Sequence, residues 1–62
     1  MTLTVTIQTD NAAFADGDTG MESSRILGRL AERIRDWQGD SEFSIGLLDI
    51  SGNRVGDCIA SE

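Results

Sequence analysis

The chain has 62 residues, eleven acidic and five basic, for a net charge of −6, and all five basic residues are arginine. A chain this short is one domain, residues 1–62, burying only roughly 60% of the surface its unfolded form exposes; a single cysteine and no histidine exclude a disulfide framework and a zinc site. The acidic balance also excludes direct binding to nucleic acid, because phosphate contacts need a basic face.

Residues 2–9 place Leu3, Val5 and Ile7 in alternation with Thr2, Thr4, Thr6 and Gln8. Period two with β-branched residues predicts a strand with one dry and one wet face. The same stretch has no basic start and no continuous apolar run, so it is not read as a signal peptide. No apolar run of about 18 residues occurs anywhere, so no membrane partner is expected. A lone free thiol fits a reducing compartment, and the expected location is cytoplasmic.

Residues 10–20 lack a period and carry Gly17 and Gly20, which predicts a loop that Phe14 anchors inward. Thr19 and Glu22 have capping-box spacing, with Asp18 as the competing N-cap. Ile26, Leu27, Leu30, Ala31, Ile34 and Trp37 then follow at steps of three and four, the apolar stripe of a helix. Gly28 weakens that helix by about 1 kcal/mol relative to Ala, a cost expected where a strand approaches closely, and Gly39 is a natural stop.

Residues 42–50 predict a second strand in which Phe43, Ile45 and Leu47 alternate before the phase slips to Leu48 and Ile50. The slip suggests a β-bulge in this strand near Leu47–Leu48. Gly52-Asn53 suits a two-residue hairpin turn into a third strand from Arg54 to about Ala60, with Val55 and Ile59 inward. With the bulge in the second strand, Ile50 would face Val55 and Ile45 would face Ile59. The expected fold class is α+β: β-α-β-β, a three-stranded antiparallel sheet of order 1-3-2 with one helix packed on one face. The alternative order, 1-2-3, needs a parallel pair and a right-handed crossover.

The charges are uneven. Residues 21–36 sum to +1 and the remainder to −7. On the helix, Arg25 with Glu22, Arg29 with Glu32, and Arg33 with Asp36 are spaced to pair. Asp10, Asp16 and Asp18 fail calcium-loop spacing, because Gly20 stands where a third ligand is needed. Two readings remain for them. They either bond nearby backbone amides as capped turns, or join Asp40, Glu42, Asp49 and Asp57 as an acidic partner-binding surface. The serines lack a base and Cys58 lacks a histidine, so no catalytic residue, metal or cofactor is expected and the chain is not read as an enzyme. Cys58 is expected to be an inert buried side chain, and Trp37 fits the core better than an exposed anchor.

Three stretches carry a resemblance: Thr9-Asp10-Asn11-Ala12-Ala13-Phe14, the helix from Arg25 to Ile34, and Asp49-Ile50-Ser51-Gly52-Asn53-Arg54-Val55-Gly56. Together they resemble a group of short acidic proteins encoded by bacteriophages and other mobile elements, which includes anti-CRISPR proteins. The pattern looks like that of an inhibitor of a type I system, subtype I-C. The resemblance implies a protein partner inside the host bacterial cell: a surveillance-complex subunit whose basic surface holds DNA, occupied by acidic mimicry. No residue roles are carried over with it, and the seven carboxylates above rest on charge and position alone. Another host nucleic-acid-binding protein would suit the same acidity. A small oligomerising structural module would suit so thin a core, and the chain is expected to be a monomer or weak homodimer.

Overall fold

Burial decides which of these patterns become structure, because only nine of the 62 residues leave the surface. The computed structural model describes all residues from Met1 to Glu62. Strand β1 runs Thr2–Ile7, helix α1 Thr19–Ile34, β2 Phe43–Leu48 and β3 Arg54–Ser61, with a single 3-10 turn at Ala12–Phe14. The sheet is antiparallel throughout and its order is β1-β3-β2. Thus β3 is central, and β1 and β2 are both edges. No helix is long and apolar enough to cross a membrane.

The core gathers Phe14, Ile26, Leu30, Leu47, Val55 and Cys58 between α1 and the β2–β3 side of the sheet. Phe14 is drawn in from the loop, as expected of the one large apolar side chain between residues 10 and 20. The stripe on α1 is narrower than its apolar spacing suggests. Glu22, Ile26 and Leu30 are buried, whereas Leu27 and Ala31 are exposed. Trp37, half-buried just beyond the helix, packs its ring edge-to-face on Phe43 with centroids 5.0 Å apart. Its indole N–H donates to the Ser41 carbonyl at 3.0 Å.

The β2–β3 register shifts at Leu47–Leu48, but the extra residue lies on β3. Leu47 opposes Gly56 and Leu48 opposes Arg54, leaving Val55 unmatched. This shift lets Val55 and Cys58, three residues apart, both point inward. Ile45 therefore faces Cys58 rather than Ile59, and Ile59 turns to the opposite face between Thr4 and Ser44. Ile50 lies outside the strand and is exposed. The connection is a five-residue turn, Asp49 to Asn53, not a two-residue one. Gly52 sits at φ +88 within it, and its N–H donates to the Asp49 carbonyl at 3.0 Å.

Two helix-end expectations also change. The capping box does not form: the Thr19 hydroxyl donates to the Phe14 carbonyl, and Glu22 turns to Arg25 and the Ile50 N–H. Asp18 occupies the N-cap position without a side-chain cap bond. Gly39, at φ +78, lies beyond the Arg35 cap and turns the chain toward β2 instead of stopping the helix. No strand approaches Gly28, where an added Cβ would meet nothing within 4 Å.

Candidate functional site

Seven carboxylates are the candidates, and the topology sorts them into three groups. Asp10, Asp16 and Asp18 lie in the loop that leaves β1 at the Ile7–Gly56 end of the sheet. Asp40 and Glu42 precede β2 at the opposite end, where Phe43 pairs with Ala60. Gly56 and Ala60 are four residues apart, about 13 Å along a strand. The acidic residues therefore divide between two ends and do not form one patch. Asp57 belongs to neither: it is half-buried mid-sheet, with Arg54 3.7 Å away.

Asp49 is withdrawn from any surface. Its Oδ1 accepts from the Ser51 and Asn53 backbone N–H groups, each at 2.9 Å. Its Oδ2 accepts from the Asn53 side chain at 3.3 Å and from Asn11 Nδ2 at 2.6 Å. These donors, the Asn53 N–H foremost, hold its carboxyl below the usual carboxylate range. Asn11 also accepts from the Ala13 N–H at 3.0 Å, so one side chain caps the 3-10 turn and ties it to the β2–β3 turn. Asn11 and Asp49 thus do the amide bonding that Asp10, Asp16 and Asp18 were candidates for.

Those three remain without a hydrogen-bonded or ionic partner, and all are exposed. Asp16 is held at φ 59, a left-handed conformation that aspartate tolerates better than most residues. Asp40 is equally free, and Glu42 accepts only from the Glu62 backbone N–H at 2.9 Å. No three carboxylates or thiols converge closely enough to share a metal ion.

The arginines pair differently from their spacing. Arg25 forms the expected bond to Glu22, through Nε at 2.8 Å and Nη2 at 3.0 Å. Glu22 also accepts the Ile50 N–H at 2.8 Å, so α1 is tied to the turn after β2. The Arg25 guanidinium holds the Glu22 carboxyl below its ordinary value, against the opposing effect of burial. Glu32 pairs with Arg35 instead of Arg29, and Arg33 does not reach Asp36. Arg29 and Arg33 are left exposed and without a carboxylate. They line a groove of about 240 Å³ between α1 and β2, with Arg25, Leu48 and Ile50.

Sequence reasoning missed the buried roles of Asn11, Glu22 and Asp49, which depend on contacts 28 and 38 residues away. The groove's arginines were read from the sequence only as members of i,i+3 ion pairs, and neither their common side of the helix nor the freedom of Arg29 and Arg33 from carboxylates was anticipated. Comparison with protein-family models, with characterised proteins and with solved structures finds no match.

Proposed function

We propose that this chain acts by binding, as an anti-CRISPR inhibitor that sets exposed carboxylates against the basic, DNA-holding surface of a type I surveillance complex in the host cytoplasm. One observation carries the reading: Asp10, Asp16, Asp18, Asp40 and Glu42 are exposed and none has a cationic partner. Their separation suits contact at two points. Between Gly56 and Ala60 the two ends stand about 13 Å apart along β3, about four nucleotide steps at 3.4 Å per step. Two acidic ends so spaced would engage lysines and arginines along a nucleic-acid channel, with long-range attraction speeding the encounter.

The test is target-DNA binding by a purified type I-C surveillance complex with and without the protein. Excess protein should abolish DNA binding, and raising salt should restore it. Reversing charge at one end (Asp10, Asp16 and Asp18 to lysine) or at the other (Asp40 and Glu42 to lysine) should weaken inhibition at least tenfold. DNA binding that is unchanged by the intact protein sinks the proposal.

A second reading has its own support. On the helix-covered face of β1, Leu3 and Val5 keep 40% and 39% of their surface exposed. An open edge strand with half-bare apolar residues is where a small self-associating module would pair. Sedimentation over a hundredfold concentration range decides it: a constant monomer mass excludes this reading.

A further inference from the structure

We propose that the groove between α1 and the open edge of β2 takes an extended acidic peptide as an added strand. β2 pairs only with β3, so its other edge presents unpaired backbone donors and acceptors. Strand addition to such an edge draws its affinity from main-chain bonds and its selectivity from the side chains alongside. Here those side chains are the two unpaired guanidiniums, Arg29 and Arg33, on the helix side of the groove. Arg25 Nη2 already donates to the Leu48 carbonyl at 3.2 Å, so acceptors on this edge lie within reach of the helix's arginines.

The spacings agree. Arg29 and Arg33 are four residues apart, about 6 Å along a helix axis. Alternate residues of an extended chain stand about 6.6 Å apart. Two acidic residues separated by one other residue would therefore meet the two guanidiniums in turn. Arg25, one further turn along, is neutralised by Glu22, and the apolar side chain the groove offers there is Ile50, which is 72% exposed. The third alternate position of the peptide is consequently apolar.

Direction follows from how α1 lies on the sheet. Arg25 sits beside Leu48, and Trp37, beyond the helix end, sits on Phe43, so α1 runs antiparallel to β2. A strand added antiparallel to β2, the more stable pairing, starts beside Leu48 and reads apolar-x-acid-x-acid. A polyphosphate is the poorer occupant, because its oxygens can accept from the edge N–H groups but it has no donor for the edge carbonyls, whereas a peptide backbone supplies both. A second copy fits less well too, since neither edge strand, β1 or β2, carries a carboxylate to place against Arg29 and Arg33.

The probe is an N-acetylated, C-amidated peptide, Thr-Leu-Thr-Glu-Thr-Glu-Thr, titrated into the full chain with amide shifts of β2 as the readout. Binding should be saturable and shift the β2 amides. A permuted peptide with adjacent glutamates should bind at least fivefold more weakly. The Arg29→Glu/Arg33→Glu variant should bind at least tenfold more weakly, yet accept the peptide in which lysines replace both glutamates. That swap separates lost recognition from lost folding. Reversing Asp10, Asp16 and Asp18 should not weaken the titration, which keeps this result independent of the inhibitor reading. No saturable binding at millimolar peptide, equal binding of the permuted peptide, failure of the charge swap, or tighter binding of oligothymidylate would each overturn the proposal. So would a dimer that shifts the same β2 amides without peptide.

Discussion

Gly56 stands where β1 crosses closest to the bulge in β3. A Cβ there would lie 1.8 Å from the Thr6 carbonyl oxygen and 2.8 Å from its carbon, both backbone atoms that no rotamer change can move. The Gln8 N–H donates to the Val55 carbonyl at 2.7 Å beside it, which pins β1 in place. Gly56→Ala must push the strands apart, and a loss of about 1–3 kcal/mol is expected, read from urea midpoints. At the same scale, Glu22 and Asp49 make stability depend on pH. Their carboxyls are depressed in the folded chain, Glu22 chiefly by Arg25 and Asp49 chiefly by the Asn53 N–H. The stability they add is complete above their ordinary values of 4.5 and 3.8, and is lost as pH falls through the lower folded values. Urea midpoints should be flat from neutral pH to about 5 and fall steeply below. Asp49→Asn should lower the plateau and flatten the acid slope, since an amide cannot accept from Asn11 and the turn amides together.

Among the elements, α1 has the clearest margin for improvement. Gly28 is exposed on the helix and an alanine there meets nothing within 4 Å, so Gly28→Ala should add about 1 kcal/mol. In a domain of this size that raises the melting temperature by about 4–8 °C. Leu30→Ala, on the buried stripe, should cost about 2–5 kcal/mol, measured in the same thermal scans. The strands and helix were legible because their signals are local: threonine alternating with Leu3, Val5 and Ile7, and Ile26 to Ile34 at helical steps. Ile59 was misplaced because the unmatched residue belongs to β3, and a one-residue slip sends every later side chain to the other face. Ile50 was misplaced because β2 ends at Leu48 and the turn begins at Asp49.

The whole molecule is long and thinly covered. Its radius of gyration is 12.3 Å, against about 10.6 Å for a compact chain of this length. Its accessible surface is 4285 Å², against about 3,900 Å² expected from its mass. The elongation, 40 Å by 17 Å by 17 Å, accounts for the radius, and α1 adds to the exposed surface by covering β2 and β3 while leaving Leu3 and Val5 on β1 half-bare. Little surface is exposed on unfolding, so the urea slope should lie near the low end for small domains, about 1 kcal/mol per molar. A slope of twice that in a monomer would mean that β1 is better covered in solution.

From the order of residues alone came the β-α-β-β succession, the inward Phe14 and the excess of acid outside the helix, because each follows from local periodicity or simple counting, and the 1-3-2 sheet, because a parallel pair would need a right-handed crossover. Which charges are free was settled only in three dimensions. Asp49 disappears into a turn held by Asn11 from the far end of the loop, Arg25 is spent on Glu22, and Arg29 and Arg33 are left facing an open strand edge. Spacing tells which side chains can meet along one helix, but burial and distant backbone donors choose among those pairs, and neither is written in the neighbouring residues.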